Sequence, residues 1–324
     1  MGKGRSVSEQ TSAQMRILIS GASGMVGTAL TRTLTSGGRS VGHFVRSPAG
    51  TVPSGASSSR DIPWDPSASD ISADALAAIE GADAVVNLNG ASIAGDRWTP
   101  ARKALLRSSR IDSTRLLVSA LAKLQRKPRV FIAASAVGYY GNRGDEILTE
   151  SSSSGSDFLA SIARDWEAQS ARAEAAGIRT VILRLGVILS AEEGALPQML
   201  RPFRFGVGGR LGDGSQWMSW IALADVIGII GAAIADERYT GPFNVVAPNP
   251  VRNAEFTRIA SRVLHRPAVF PAPAFTLRLL LGEMADPLLL SSERAVPERL
   301  LGLGYGFLFS DLEATLVSLL RRGS

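Results

Sequence analysis

The chain of 324 residues carries 35 lysines and arginines against 29 acidic residues, and 45% of its residues are apolar, which is typical of a globular protein with a sizeable core. It contains no cysteine and only two histidines, so disulfides, thiolate catalysis and zinc–sulfur sites are excluded, and we predict no metal site. The arginines are scattered rather than clustered, which favours a generally basic surface over a nucleic-acid footprint.

The first fourteen residues, MGKGRSVSEQTSAQ, contain no apolar stretch of the kind found in secretory signals. We predict a disordered leader over 1–14, before a second candidate start at Met15. No later segment is apolar over enough residues to span a membrane. These features predict a cytoplasmic protein without a membrane partner.

Alternating strands and helices follow from Met15 onward. Short apolar runs predict buried strands, and stretches of helical periodicity between them predict helices. The predicted strands cover 15–20, 39–47, 60–63, 82–90, 128–136, 178–190 and 241–248. The predicted helices cover 24–38, 73–80, 100–124, 156–177 with a cap at Ser156, and 251–265.

Buried strands that alternate with helices imply parallel pairing with right-handed crossovers. We therefore predict an α/β fold, a Rossmann-type doubly wound parallel sheet with a smaller, mostly helical C-terminal substrate lobe. Residues 15–190 and 217–246 are assigned to the Rossmann domain. Residues 191–216 and 247–324, where glycine-rich loops and mixed segments replace the alternation, are assigned to the substrate lobe.

The segment ILISGASGMVG joins the first predicted strand to the first predicted helix and spaces three glycines as GxxGxxG. At such a turn Gly21 allows the sharp bend, Gly24 lets the backbone approach a pyrophosphate, and Gly27 permits close packing of helix on strand. The helix N-terminus adds a positive field for the phosphates. We predict a dinucleotide site here, with the neighbouring Ser23, Met25 and Val26 as further contacts; the alternative is an ordinary glycine-rich turn.

The end of the second predicted strand distinguishes between dinucleotides. An acidic residue there would hold the ribose diol of NAD, but the segment HFVRS places Arg46 at that position, and no acidic residue lies between Arg46 and Asp61. A guanidinium can bind a 2′-phosphate through two parallel hydrogen bonds. We therefore predict that the Rossmann domain binds NADP in preference to NAD; the alternative is a solvated surface arginine.

Several segments together resemble one known family. GxxGxxG, VVNLNGASI, SAVGYYG and LRLGVIL resemble an extended short-chain dehydrogenase/reductase. More narrowly, RWTPARKALLRSSRIDSTRLL, DFLASIARDWE, LRPFRFGVGGRLGDGSQWMSWI and LLLSSERAVPERLLGLGYGF resemble its atypical members, the nucleoside-diphosphate-sugar epimerase-like proteins of the NAD-dependent epimerase/dehydratase-like family, together with that family's C-terminal domain. The resemblance covers about residues 15–320.

The resemblance implies further cofactor contacts. Val45 would join Arg46 at the adenosine phosphate, and Leu88 and Asn89 would follow the dinucleotide along the fourth strand. SRIDSTRLL occupies the place of an NxxGTxxLL helix, so Arg110 replaces a structural asparagine; it would either reach the cofactor or lie on the helix surface. Val187 falls where a loop contacts the nicotinamide end.

The catalytic motif of the family is missing. Extended members carry YxxxK at the start of the helix after the serine strand, and this chain has Phe158 and Ile162 there and no lysine after Lys127. Three candidates remain, Ser135 and the adjacent Tyr139 and Tyr140, since a phenol can donate a proton. We favour Tyr139 slightly, because Arg143 lies four residues further on and would stabilise a phenolate. The alternative is that both tyrosines only pack under the cofactor.

The substrate segment also departs from the family. Where extended sugar-nucleotide enzymes often have GDGxxxR, the segment GDGSQWMSW places Met218 at the arginine position, beside Trp217 and Trp220. RPFRFGVGGR offers Arg201, Arg204 and Arg210 for an anion. Such a pocket suits a ligand that is less charged than a sugar nucleotide.

Two functions remain open at this point. The first is an NADP(H)-dependent oxidoreductase or epimerase-like enzyme acting on a small molecule by reversible hydride transfer, as a monomer or homodimer. The second is a regulatory or scaffold protein that binds NADP(H) without turnover. The intact nucleotide motif is compatible with both, and the missing YxxxK favours the second. A nucleic-acid-binding function, suggested only by the pI of about 10.1, has no supporting motif.

Overall fold

The computed structural model of the protein describes residues 14–47 and 61–322. The predicted leader lies outside these residues except for Gln14, and so does most of the predicted loop over 47–59. We number strands and helices in chain order.

Seven parallel strands form the central sheet. They are β1 (Arg16–Ser20), β2 (Ser40–Arg46), β3 (Asp61–Trp64), β4 (Ala84–Asn87), β5 (Val130–Ala136), β7 (Arg179–Leu185) and β11 (Gly241–Val245). Their spatial order is β11-β7-β5-β4-β1-β2-β3, and every neighbouring pair is parallel. The chain runs outward from β1 to β3 and then continues on the other side of β1, so a crevice forms at the carboxyl ends of β1 and β4.

Helices cover both faces of this sheet and form the C-terminal region. They are α1 (Met25–Ser36), α2 (Ala73–Ile79), α3 (Pro100–Lys123), α4 (Phe158–Ala175), α5 (Ala195–Arg204), α6 (Leu223–Ala235), α7 (Asn253–Leu264), α8 (Ala274–Leu281), α9 (Glu298–Gly302) and α10 (Leu312–Arg322). Short strands pair outside the sheet: β6 (Ile147–Leu148), β8 (Val187–Leu189), β9 (Trp217–Met218), β10 (Trp220–Ala222), β12 (Val251–Arg252) and β13 (Arg294–Ala295). The predicted doubly wound parallel sheet and helical C-terminal region are confirmed.

The core has two layers because the sheet is buried on both faces. On one face Ile17, Val86 and Val181 pack with the side chains of α1 and α6. On the other face Leu18 and Phe131 pack with those of α2 and α3. A separate cluster, built from α5, α7 and α10, forms the core of the C-terminal lobe. In such strands the side chains on both faces of the sheet are buried, which is typical of a parallel sheet.

Two predicted boundaries are wrong. The strand predicted over 178–190 is interrupted at Gly186, because the following β8 pairs with β10 instead of the central sheet. A Cβ on Gly186 would lie 2.6 Å from the Ser219 carbonyl oxygen, so only glycine fits at the interruption. The α4 cap is Asp157, not Ser156, since the Asp157 carboxylate accepts the Ala160 N–H at 2.8 Å.

The apolar stretch VIGIIGAAIA forms part of α6. It packs on the sheet beside α1, which explains why it is apolar on most sides. Over residues 14–47 and 61–322, no helix is both long and apolar enough to cross a membrane.

Candidate functional site

The turn between β1 and α1 has the geometry that the GxxGxxG spacing predicts. Gly21 adopts a φ of +73°, and a Cβ there would lie 2.7 Å from the Leu88 carbonyl oxygen. A Cβ on Gly27 would lie 2.4 Å from the Gly21 carbonyl oxygen. A Cβ on Gly24 would meet only that same oxygen, at an ordinary 3.5 Å. The fold therefore requires glycine at positions 21 and 27. At position 24 the fold would accept a side chain, and Gly24 leaves open space beside the turn.

The N-terminus of α1 is free to bind an anion. Gly24 is its N-cap, no side chain caps the helix, and its first turn contains no acidic residue. Ser23 and Gly24 are exposed, and Met25 and Val26 are half-buried at the same end. Free N–H groups and the helix dipole at such an end attract phosphate.

Val45 and Arg46 are both exposed at the carboxyl end of β2. In the part of the chain that the structure describes, no carboxylate lies within ion-pair distance of the Arg46 guanidinium. The sheet order places Arg46 on the β2 side of the crevice, where an adenosine ribose would lie if the pyrophosphate occupied the α1 N-terminus.

Leu88 and Asn89 continue β4 at the other side of the turn. The Leu88 N–H donates to the Ser20 carbonyl oxygen at 3.0 Å, which brings this loop against β1. Asn89 is 8% exposed, and its buried Nδ2 has no acceptor in the described structure. A buried amide donor without an acceptor costs about 1–3 kcal/mol, so a ligand that accepts from it is expected. The open space at Gly24, the uncapped helix and this donor together fit a dinucleotide.

Arg110 does not lie on the surface of α3. It is 8% exposed, its Nη1 donates to the Leu106 carbonyl oxygen at 3.1 Å, and its Nη2 donates to the Ala91 carbonyl oxygen at 3.0 Å. The surface alternative for this residue is therefore excluded, and the side chain lies directly beneath the loop that carries Asn89.

Val187 begins β8 just after the Gly186 interruption. Its N–H donates to the Ser219 carbonyl oxygen at 2.8 Å, and its side chain is half-buried. It follows the carboxyl end of β7. In the sheet, β5, β4 and β1 separate β7 from β2, the strand that carries Arg46.

The three catalytic candidates occupy different environments. Tyr140 is fully buried, and its hydroxyl donates to Asn244 Oδ1 at 2.7 Å and accepts from Arg184 Nη1 at 2.9 Å. Burial is the main reason that its pKa is raised to about 12. Ser135 is 2% exposed and donates to Glu167 Oε1 at 2.7 Å.

Tyr139 differs from its neighbour. It is half-buried, and the Arg184 guanidinium carbon lies 3.6 Å from the centre of its ring. Its ring meets the Tyr140 ring edge to face at 5.3 Å. Among residues 14–47 and 61–322, nothing donates to or accepts from the Tyr139 hydroxyl. Tyr139 is thus the candidate whose polar atom is available to a ligand.

The expected support of Tyr139 by Arg143 is wrong. Arg143 forms a bidentate ion pair with Glu146, at 2.7 Å and 2.8 Å, and also donates to the Ser153 carbonyl oxygen. After Gly141 the chain turns. The Gly144 N–H donates to Asn142 Oδ1 in this turn, and Gly144 has a positive φ. The cation next to Tyr139 is Arg184, from β7.

Sequence reasoning missed an ion pair that holds this cluster together. Arg184 and Glu167 make two hydrogen bonds, at 2.9 Å and 2.8 Å, and both side chains are shielded from solvent. The Glu167 carboxylate also accepts from Ser135. The sequence signal was an arginine inside the apolar run of a buried strand, where a charge requires a partner.

A second missed feature is the carboxyl group of Glu293. In the described chain it forms no ion pair, and only Ser291 Oγ approaches it, at 3.4 Å. The Glu293 N–H donates to the Trp217 carbonyl oxygen at 3.2 Å, and the Glu293 carbonyl oxygen accepts from Ser219 Oγ at 2.7 Å. Burial and then the nearby Asp157 charge raise the pKa of Glu293 to about 8.

A cleft of about 700 Å³ is lined by residues from the loop after β5, from the segment 210–216 and from the C-terminal region. Asn142 and Asp145 line it on one side, and Arg210, Arg252 and Arg278 line it on the other. Arg252 pairs with Asp145 at 2.7 Å and Arg278 pairs with Asp286 at 2.8 Å. Within the described ranges Arg210 has no such partner, and it is the arginine of the predicted set that reaches this cleft.

Known proteins share both the sequence and the fold. Residues 17–246 match the NAD dependent epimerase/dehydratase family, and residues 272–319 match a domain of unknown function, DUF1731. An epimerase family protein of Mycobacterium leprae is 39% identical over 298 residues, covering 92% of this chain and 93% of that protein. The epimerase family protein YfhF of Bacillus subtilis is 44% identical over 239 residues, covering 74% of this chain and 78% of that protein.

One similar protein has been crystallised with a dinucleotide. The human epimerase family protein SDR39U1, crystallised with NADPH, is 32% identical and superposes with a TM-score of 0.81, covering 95% of this chain and 99% of that one. MoeE5, in complex with UDP-glucuronic acid and NAD, has a TM-score of 0.72 at 18% identity and supports the fold alone. With the family model matched over most of the chain, this protein belongs to the NAD-dependent epimerase/dehydratase family.

Proposed function

We propose that the protein is an NADP(H)-dependent oxidoreductase that acts on a small carbonyl or alcohol by reversible hydride transfer. The observation that carries this proposal is the open space at Gly24 beside an uncapped helix N-terminus, flanked by the unpaired Arg46 and the unsatisfied Asn89 amide. The human relative that was crystallised with NADPH supports the choice of cofactor.

The chain's own groups have separate tasks in this scheme. The α1 N-terminus and Gly24 would hold the pyrophosphate, and Arg46 would bind the 2′-phosphate. NADPH, when bound, supplies the hydride. The Tyr139 hydroxyl would hold the substrate oxygen and donate its proton as the alcohol forms, because it is the candidate hydroxyl without a partner among the described residues. Substrate would enter from the cleft that Arg210 lines.

A protein that binds NADP(H) without turnover is the second candidate. Two observations favour it: the chain lacks YxxxK, and both Ser135 and Tyr140 are already engaged inside the protein. A screen of carbonyl compounds for loss of NADPH absorbance separates the two functions. Turnover that disappears in the Gly24→Val variant supports the enzyme, and tight NADPH binding with no turnover across the screen supports the alternative.

A further inference from the structure

Arg110 is a buried cation without an anionic partner. It is 8% exposed, and no carboxylate of the described chain lies within ion-pair distance of it. Two of its five N–H groups donate to backbone carbonyls, and the other three have no acceptor among the described residues. Each Nη of Arg110 therefore has one acceptor, and the N–H groups that remain are free to donate to a ligand.

The neighbourhood of Arg110 increases the need for an acceptor. Arg102 lies close enough that its charge adds to burial in lowering the pKa of Arg110 to about 10, which leaves Arg110 protonated at neutral pH. The Arg102 Nε is itself buried without a partner. Asn89 Nδ2, on the loop after β4, is a further buried donor without an acceptor among the described residues. The loop after β4 and α3, which Arg110 links through its hydrogen bond to Ala91, therefore both carry unmatched donors.

This place lies on the β4 and β5 side of the crevice. The Arg110 guanidinium contacts the loop at Gly90, where a Cβ would lie 3.0 Å from its Cζ. It also lies over the ring of Trp166 on α4, at 5.4 Å. Arg46 lies on the β2 side of β1. A dinucleotide that spans the crevice with its adenosine at Arg46 would bring its second ribose to the β4 side.

The family's missing lysine would have acted in the same region. Ile162 holds the lysine position on α4, and it packs in one apolar cluster with Leu106 and Ala91. Arg110 donates to the carbonyl oxygens of those two residues. A positive charge is thus missing at position 162 of α4, and Arg110 on the neighbouring α3 supplies one close by.

We propose that Arg110, with Asn89, binds the nicotinamide-side ribose of the dinucleotide and supplies from α3 the charge that the absent lysine would supply from α4. This inference rests on the proposed function, because it assumes that the dinucleotide lies in the crevice. It assigns to Arg110 a role that neither a surface arginine nor a purely structural clamp on the loop would have.

The test uses two ligands that share only the adenosine end. NADPH contains the second ribose, whereas adenosine 2′,5′-bisphosphate lacks it, and calorimetry measures both affinities. In Arg110→Met, NADPH should bind about ten-fold or more weakly because charge-assisted hydrogen bonds are lost, while the bisphosphate should bind as it does to the wild-type protein. Arg46→Ala is the matched control and should weaken both ligands.

If both ligands bind equally more weakly to Arg110→Met, Arg110 only holds the loop after β4 in place. If NADPH binds Arg110→Met as it binds the wild type, Arg110 does not contact the dinucleotide. Either result overturns the proposal. Arg110→Lys, which keeps the charge, should retain more NADPH affinity than Arg110→Met. If Arg110→Met does not fold, Asn89→Ala decides the question, because it removes the other donor of the proposed site and leaves Arg110 in place. Wild-type NADPH affinity in Asn89→Ala would then overturn the proposal. Failure of the wild-type protein to bind NADPH refutes the proposed function instead.

Discussion

The Arg184 guanidinium lies 3.6 Å from the centre of the Tyr139 ring and donates a 2.9 Å hydrogen bond to the Tyr140 hydroxyl. One cation from β7 therefore contacts both tyrosines of the SAVGYYG segment, but in different ways. It covers a face of Tyr139 and leaves that hydroxyl without a partner, whereas it helps to fix the hydroxyl of Tyr140 inside the core. The two tyrosines should consequently respond differently to the same substitution.

The first prediction concerns stability. Tyr140→Phe removes a hydroxyl that bonds Asn244 and Arg184 in a buried site, so it should lower the free energy of unfolding by about 1–3 kcal/mol. Tyr139→Phe removes no hydrogen bond in the described structure and should change that free energy by less than about 0.5 kcal/mol. Urea denaturation measures both. Equal losses in the two variants would contradict the assignment of Tyr140 to the core.

The second prediction concerns rate, once a substrate is known. Tyr139→Phe should slow turnover by about 10²–10⁴-fold, the usual loss when a general acid is removed, and NADPH affinity should be kept. Tyr140→Phe should retain most of the rate in the folded protein, because its hydroxyl is bound to Asn244 inside the core. If both variants turn the substrate over at the original rate, neither phenol is the acid, and Ser135, Glu293 or water must serve.

The third prediction concerns pH. The pKa of Glu293 is raised to about 8 in the folded protein, against about 4.3 for an unfolded chain, because the buried site favours the neutral acid. Its contribution to stability is therefore complete below about pH 4 and is lost as the pH rises toward about 8, by at most about 1.4 kcal/mol per pH unit.

Glu293→Gln is neutral at every pH and lacks this dependence. The free energy of unfolding of the wild type, minus that of the variant, should decrease as the pH rises through this interval and then level off. Urea denaturation at several pH values gives the difference directly. A difference that stays constant from acid to mildly alkaline pH would contradict a raised pKa at Glu293.

The fourth prediction separates two glycines three residues apart. A side chain at Gly27 would collide with the Gly21 carbonyl oxygen at 2.4 Å, so Gly27→Val should unfold or strongly destabilise the protein. A Cβ at Gly24 meets no close atom, so Gly24→Val should fold and yet fail to bind NADPH, because its methyl groups occupy the space that a pyrophosphate needs. Circular dichroism and NADPH calorimetry on both variants test this. Normal NADPH binding by Gly24→Val would place the pocket elsewhere.

Sequence reasoning succeeded where the determinants are local. The turn at Gly21 and the alternation of strands and helices depend on residues a few positions apart, and both are present in the structure. The Ser156 cap was wrong by one residue, because either Ser156 or Asp157 has the chemistry for a cap and only the backbone angle selects between them.

The catalytic environment could not be read in the same way. Arg184 is 44 residues from Tyr140, and their contact exists only because β5 and β7 are neighbours in the sheet. Spacing alone favours Arg143 as the partner of Tyr139, but Arg143 pairs with Glu146, which is nearer in sequence and carries the opposite charge. Glu293 comes from a segment beyond the sheet whose contact with Trp217 and Ser219 has no local signal.

Paired calorimetric titrations with NADPH and NADH decide whether the crevice binds NADP(H) through Arg46. The wild-type protein should bind NADPH more tightly than NADH, and Arg46→Ala should erase most of that preference. One charge-assisted phosphate contact is worth about 1.5–3 kcal/mol, so the loss of NADPH affinity should be on the order of ten-fold or more, with NADH affinity little changed. Equal affinity of the wild-type protein for the two cofactors would contradict the assignment.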